Sequence, residues 1–288
     1  MINIWVIGAG NSIGLEISEL ANIYTEFNFR LSGFLEIDLA DKDRIESILV
    51  TKDIKVVINC LENPKYVFPN LNLSLVEGMI IQGIEVLADV CKAQEIKLIQ
   101  VSTDEVFDGQ KKGSYPENMT KRPLSLYGNL MDGVEKKLNE IAPDNALIIR
   151  SSWLFSLYGN NFLKSLLDDL RNKDRIHLEN DQISCPTHAK ELTYFILEYC
   201  IIDRHQGVEI YHFRNRGHCS KYEFSLETEK YLKSNCTIIP VFSDMYLTAE
   251  EMDYSRILNT NKISEKFNHK TAHWKDAVKR CMDLMVKC

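Results

Sequence analysis

The chain has 288 residues, 45% of them apolar and 26% charged, with a net charge of −7 and a pI near 5.6. That length and apolar content allow a sizeable buried core and exclude a disordered or fibrous chain. The acidic balance argues against nucleic acid, whose binders carry a clustered basic face, and no run reaches the ~18 apolar residues of a membrane span.

Alternating apolar residues from Ile2 to Ile7 predict a first strand. No charged n-region or small-residue cleavage site precedes it, so no signal peptide is expected. Helix-period and strand-length runs then alternate: a helix over 13–22, a strand over 56–59, a helix over 75–91 and a strand over 97–102. That alternation predicts a parallel, doubly wound α/β sheet. A long helix over 124–140 and a strand over 146–150 follow, bounded by Pro123 and Pro143, which interrupt helical continuity. Beyond Ser151 the rhythm loosens, and helices near 161–171, 189–200, 220–233 and 274–286 predict a smaller lobe covering the substrate.

The 8 cysteines are scattered without any CxxC pair, which points to reduced thiols and a cytoplasmic protein rather than a disulfide scaffold. His212, His218 and Cys219 form the densest set of metal-ligand types. Isolated strand-end His and Cys read as structural, so no metal is expected.

Three segments carry chemistry. Gly8-Ala9-Gly10-Asn11-Ser12-Ile13-Gly14 joins the first strand to the first helix, where backbone amides and the positive helix end hold a pyrophosphate. Asn11 takes the middle glycine's place there; Asn tolerates a left-handed backbone better than other non-glycine residues, but its side chain crowds the phosphate. Ser102-Thr103-Asp104-Glu105 follows the fourth strand, and hydroxyls at the carboxyl ends of parallel strands can bond a substrate oxygen. Tyr127 and Met131 share a helix face at i and i+4, beside the apolar stripe of Leu126, Leu130, Val134 and Leu138. In the lobe, Trp153 can stack on a sugar or base face, and Asn161 and Gln182 can read hydroxyls.

Along nearly its whole length the chain resembles the dTDP-4-dehydrorhamnose reductases, of the extended short-chain dehydrogenase type. The resemblance is carried by Gly8 to Gly14, by Ser102 to Gly109 against S-T-D-Y-V-F-D-G, and by Pro123 to Gly128. Ser151 to Phe155 against T-S-W-V-Y, Gly159 to Phe162 against G-x-N-F, Asp181-Gln182 and Pro186-Thr187 continue it. It implies a Rossmann-type domain over residues 1–155, rejoined near 186–214, and a substrate-binding lobe over 156–185 and 215–288. The implied reaction is NADPH- or NADH-dependent reduction of the 4-keto group of a dTDP-6-deoxyhexose. Tyr127 is then the proton donor, Thr103 orients the keto oxygen, and Trp153 with Asn161 holds the hexose. Asp104, Glu105, Phe107, Phe162, Gln182, Pro186 and Thr187 complete the substrate side. Gly8, Asn11, Ile13, Gly14, Asp38, Leu39, Asn59, Cys60, Leu61, Ser102, Tyr127 and Met131 line the cofactor.

Four departures from the family pattern surround the cofactor. Asn11 replaces a glycine, Gly33-Phe34 cannot grip the adenosine ribose, Cys60-Leu61 is bulkier than Ala-Ala, and Met131 replaces the lysine of Tyr-x-x-x-Lys. Lys136 and Lys137 lie more than two turns from Tyr127 and cannot substitute for it. Glu105 replaces a Tyr and gives an Asp-Glu pair like that of the sugar-nucleotide 4,6-dehydratases, and residues 251–255 lack the family's Arg-Pro. A second reading is therefore a non-catalytic sugar-nucleotide-binding or regulatory subunit, similar in kind to the beta subunit of methionine adenosyltransferase. The expected ligand is a dTDP-sugar, with a homodimer or a partner enzyme as the protein-level association.

Overall fold

The computed structural model describes residues 1–60, 73–141, 143–242 and 255–285. Six parallel strands form the central sheet: β1 (Ile2–Ile7), β2 (Phe27–Ser32), β3 (Ile54–Asn59), β4 (Lys97–Thr103), β5 (Ala146–Ser151) and β6 (Val208–Phe213). Their order is β6-β5-β4-β3-β1-β2. Continuous burial of Lys97–Thr103 and Ala146–Ser151 marks strands covered on both faces, as a parallel sheet requires.

The period-2 alternation of each strand divides its side chains between two cores. Trp5, Ile7, Val57, Leu98 and Ile148 face one side. There they meet α2 (Lys42–Thr51), α3 (Leu73–Ala93) and α4 (Leu126–Ile141). Ile4, Val6, Ile58, Ile99 and Ile149 face the other, against α1 (Ser12–Leu20) and a helix over Ala189–Phe195 that runs on as a π turn over Ile196–Cys200. A third core joins Phe155, Leu163, Leu166, Phe224, Trp274 and Val278 around helices Phe162–Asn172, Lys221–Leu232 and Trp274–Met285. No helix among the described residues is long and apolar enough to cross a membrane.

The sequence does not announce β2 or α2. The residues of β2, FNFRLS, are only half-buried at the sheet edge, and α2 buries only Ile45 and Leu49, so neither shows a strong apolar period. β1 lies between β2 and β3, so successive connections leave it in opposite directions and open a crevice beyond its carboxyl end. The glycine-rich turn sits in that crevice.

The helix α4 reaches the crevice by a close approach at Gly128. A Cβ there would stand 2.1 Å from the Glu105 carbonyl oxygen and 2.9 Å from its carbon, closer than any real Cβ contact. Gly128→Ala must push α4 away from the turn that follows β4. We expect it to cost about 1–3 kcal/mol, a loss of several degrees in Tm measured by thermal unfolding.

Candidate active site

The turn between β1 and α1 is built around two glycines that admit no side chain. Gly8 has φ +90°, and a Cβ on it would stand 2.8 Å from the Cys60 carbonyl oxygen; one on Gly14 would stand 2.4 Å from the Gly8 oxygen. Asn11 does not take the left-handed backbone considered for it. Its φ of −91° and ψ of 175° are extended, because it serves as the N-cap of α1. Its Oδ1 accepts the Gly14 amide at 2.9 Å, and its Nδ2 donates to the Cys60 carbonyl, tying the turn to the end of β3. Gly10 faces open space, and the Ile13 amide has no intramolecular partner among the described residues. The turn therefore fits an entering phosphate at Gly10 and Ile13, with the Gly14 amide already taken.

A loop from the lobe closes one side of this turn. Ser12 Oγ donates to the Tyr158 carbonyl at 3.0 Å. Gly159, at φ +71°, lies so near that a Cβ would stand 2.7 Å from the Ser12 amide nitrogen. Asn161 caps the helix Phe162–Asn172 and donates to the Ser156 and Tyr158 carbonyls at 2.9 Å each, so its amide organises this loop. One helical turn further, buried Glu16 accepts Ser156 Oγ at 2.6 Å; burial pushes its pKa up against that hydrogen bond.

At the end of β4, Thr103 Oγ1 accepts the Glu105 amide at 3.2 Å and caps the short turn Asp104–Val106. Asp104 accepts Ser152 Oγ at 2.6 Å and Ser184 Oγ at 3.3 Å, which fixes the loop after β5 and the segment near Gln182 around it. Glu105 accepts Ser125 Oγ, whose oxygen also receives the Gly128 amide at 3.0 Å. These bonds bring Thr103, Asp104, Glu105 and the start of α4, with half-buried Tyr127, to one place.

Trp153 adds an aromatic wall. Its φ of +35° is a strained left-handed value for a bulky residue, held by the Thr187 amide on its carbonyl at 3.0 Å. Its ring packs 5.2 Å from Phe162 and 5.1 Å from Phe224. Pro186 and Thr187 are buried behind it and support it through the backbone, while Gln182 is half-buried.

Several expected contacts fall elsewhere. Phe107 does not face a substrate: it is wholly buried, stacked 4.6 Å from Tyr115 with the Arg150 guanidinium 5.2 Å above its ring. Leu39 and Met131 also lie in the first core. Asn59 spends its amide on Gln100 Oε1 at 2.8 Å inside the sheet, and Cys60 is buried. Asp38 is exposed and accepts the Ala40 amide at 2.9 Å. Leu61 and residues 251–254 lie outside the described residues. His212 is committed to Arg150, at 3.2 Å, and to the Tyr115 carbonyl, at 3.1 Å.

Sequence reading missed the buried ion group beneath the site. Glu135 lies one turn beyond Met131 on α4, wholly buried, and accepts Arg150 Nε at 2.9 Å and Nη2 at 2.7 Å. It also accepts Ser102 Oγ at 2.6 Å and Lys121 Nζ at 3.0 Å; Lys121 in turn reaches Asp132 at 2.6 Å. Glu135 falls within Gly133 to Lys136, which also resembles the family helix, but nothing in its spacing marks it as the centre of a buried ion group.

The model for the RmlD substrate binding domain matches residues 2–287. The chain belongs to the RmlD substrate binding domain family. It is 27% identical over 288 residues to a dTDP-4-dehydrorhamnose reductase of Aggregatibacter actinomycetemcomitans, covering 97% of this chain and 98% of the relative. It is 23% identical to a dTDP-4-keto-6-deoxy-D-glucose reductase of Streptomyces niveus, over 99% and 98% of the two chains. A crystal structure of dTDP-4-dehydrorhamnose reductase from Bacillus anthracis in complex with NADP shares its fold, with a TM-score of 0.88, 23% identity and 98% of each chain covered. In this RmlD-family chain the sheet, the glycine-rich turn and the Thr103 turn occupy one crevice.

Glu135 sets an acid limit on this RmlD-family site. Burial alone would raise its pKa, but Arg150, Lys121 and Ser102 together hold it below the usual carboxylate value. Stability from this lowered pKa is present above the unfolded value of ~4.3 and lost as pH falls through the folded one. We expect Glu135→Ala to cost about 3–5 kcal/mol at pH 7, because it strands Arg150 in the core. Urea unfolding checks this, and the wild-type midpoint should fall below about pH 4.

Proposed function

We propose that this chain binds a dTDP-6-deoxyhexose in the crevice bounded by Thr103, Tyr127 and Trp153 and reduces its 4-keto group with NADPH or NADH. The carrying observation is the joining of the Thr103–Glu105 turn to the start of α4 through Ser125 and Gly128. It joins the start of α4, where Tyr127 lies, to the carboxyl end of β4, and this supports a reading with Tyr127 and Thr103 near a turn that suits a pyrophosphate. On this reading residues 1–155 with 186–214 serve the dinucleotide and the rest covers the sugar, as part of nucleotide-sugar synthesis in the cytoplasm.

The dinucleotide, when bound, supplies the hydride. Gly10 and the Ile13 amide admit its pyrophosphate. Thr103 Oγ1 donates to the 4-keto oxygen, and Tyr127 delivers its phenolic proton to that oxygen as it becomes a hydroxyl. Trp153 covers the face of the hexose, and the Phe162 and Phe224 rings keep it in place.

A second reading has its own observation. Met131 is wholly buried in the first core, so the side chain one helical turn from Tyr127 carries no charge that could lower a phenol's pKa or bind a nicotinamide ribose. That favours a sugar-nucleotide-binding subunit acting beside a partner enzyme. Met131→Lys separates the two readings. If Tyr127 is aimed at substrate, the variant raises reduction of a dTDP-4-keto-6-deoxyhexose by about 10² to 10⁴, read as loss of NADPH or NADH absorbance, and it loses stability because a charge enters an apolar core. A folded Met131→Lys protein that binds the dTDP-sugar by calorimetry and oxidises neither cofactor, even with Asn11→Gly added, defeats the reductase reading.

A further inference from the structure

The carboxyl end of β2 holds a carboxylate that alignment does not place there. Gly33 and Phe34 occupy the position, and neither side chain can bond a ribose. Glu36 reaches back from the short turn Phe34–Glu36, and its Oε2 accepts the Gly33 amide at 2.9 Å. The bond is that of a capping box, and a Cβ on residue 33 would stand 3.3 Å from the Glu36 carboxyl carbon and from Oε1. The preceding residue, Ser32, accepts the amides of Gly8 and Ala9 at 2.9 and 3.0 Å. The carboxylate is thus anchored to the residue adjoining the phosphate turn.

Its surroundings leave it available. Glu36 is exposed, and the Gly33 amide is its only partner among the described residues. Arg30, the basic residue of β2, does not neutralise it; Arg30 Nε is buried and has no partner among the described residues. In a doubly wound sheet a dinucleotide whose pyrophosphate lies at the first turn extends its adenosine ribose over the end of the second strand. An ionised carboxylate there accepts a ribose hydroxyl and repels a phosphate.

We infer that Glu36, folded back on Gly33, reads the adenosine ribose of the dinucleotide and makes this chain select the 2′-hydroxyl form, NADH, over the 2′-phosphate form, NADPH. This rests on the dinucleotide reading of the crevice given above. One carboxylate charge set against a 2′-phosphate in a solvent-exposed site is worth about tenfold in affinity.

The test uses fragments that carry only the adenosine end. ADP-ribose and 2′-phospho-ADP-ribose are titrated by calorimetry into the wild-type chain and into Glu36→Gln. Glutamine still offers an amide oxygen to the Gly33 N–H, so the turn is kept and only the charge is lost. We expect ADP-ribose to bind the wild type about tenfold more tightly, and Glu36→Gln to remove most of that ratio. A wild type that prefers the 2′-phospho form, a ratio unchanged in Glu36→Gln, or no binding of either fragment overturns the inference. Neither fragment contains nicotinamide, so a chain that discriminates as expected but fails to reduce a keto-sugar defeats the proposed reaction alone. Reduction with an unchanged ratio defeats the role of Glu36 alone.

Discussion

The site depends on one buried carboxylate. Glu135 on α4 gathers Ser102 from β4, Arg150 from β5 and Lys121 from the segment before α4. Buried charges are costly unless their partners come with good geometry, and here two cations and a hydroxyl converge on two oxygens. The outcome is positional rather than catalytic. α4 is pinned along its length to the two strands whose ends carry Thr103 and Ser152, so Tyr127 at its start has a defined place relative to them. The close approach at Gly128 fixes the other end of the same helix.

The crevice is assembled from groups bonded to one another across the chain. Asn11 bonds Cys60, Ser12 bonds Tyr158, Asp104 bonds Ser152 and Ser184, and Thr187 holds the strained backbone of Trp153. The Asn11 bond ties the first turn to the end of β3, and the Ser12 and Asp104 bonds tie ends of the central sheet to segments after β5. The loop over residues 156–161 touches both the phosphate turn, at Ser12, and the aromatic wall, through Asn161 and Phe162. This loop therefore links the glycine-rich turn to the aromatic cluster around Trp153.

The departures around the cofactor have different physical meanings. Asn11 has become a helix cap, which satisfies an amide that would otherwise face a phosphate. Met131 has become core, exchanging a charge for apolar packing. At Gly33 the backbone amide, not a side chain, engages the Glu36 carboxylate.

The sequence by itself determined the doubly wound sheet, because both periods and the glycine-rich turn are local features. β1, β4, β5 and the long helices fall within a few residues of where apolar spacing puts them. It also singled out the Thr103 turn, Tyr127 and Trp153 as candidates, since their motifs are short and contiguous. Only the tertiary structure decided which of those residues face the crevice. Phe107 sits in a motif yet is buried under Arg150, and Asn161 spends its amide on carbonyls of its own loop, because which partners a side chain meets is decided by the folded backbone and not by the motif. β2 and α2 were illegible because an edge strand and a mostly exposed helix bury too little to impose a pattern. Glu36 and Glu135 were illegible for a related reason: a carboxylate acquires its role from what surrounds it, and their surroundings are made by folding.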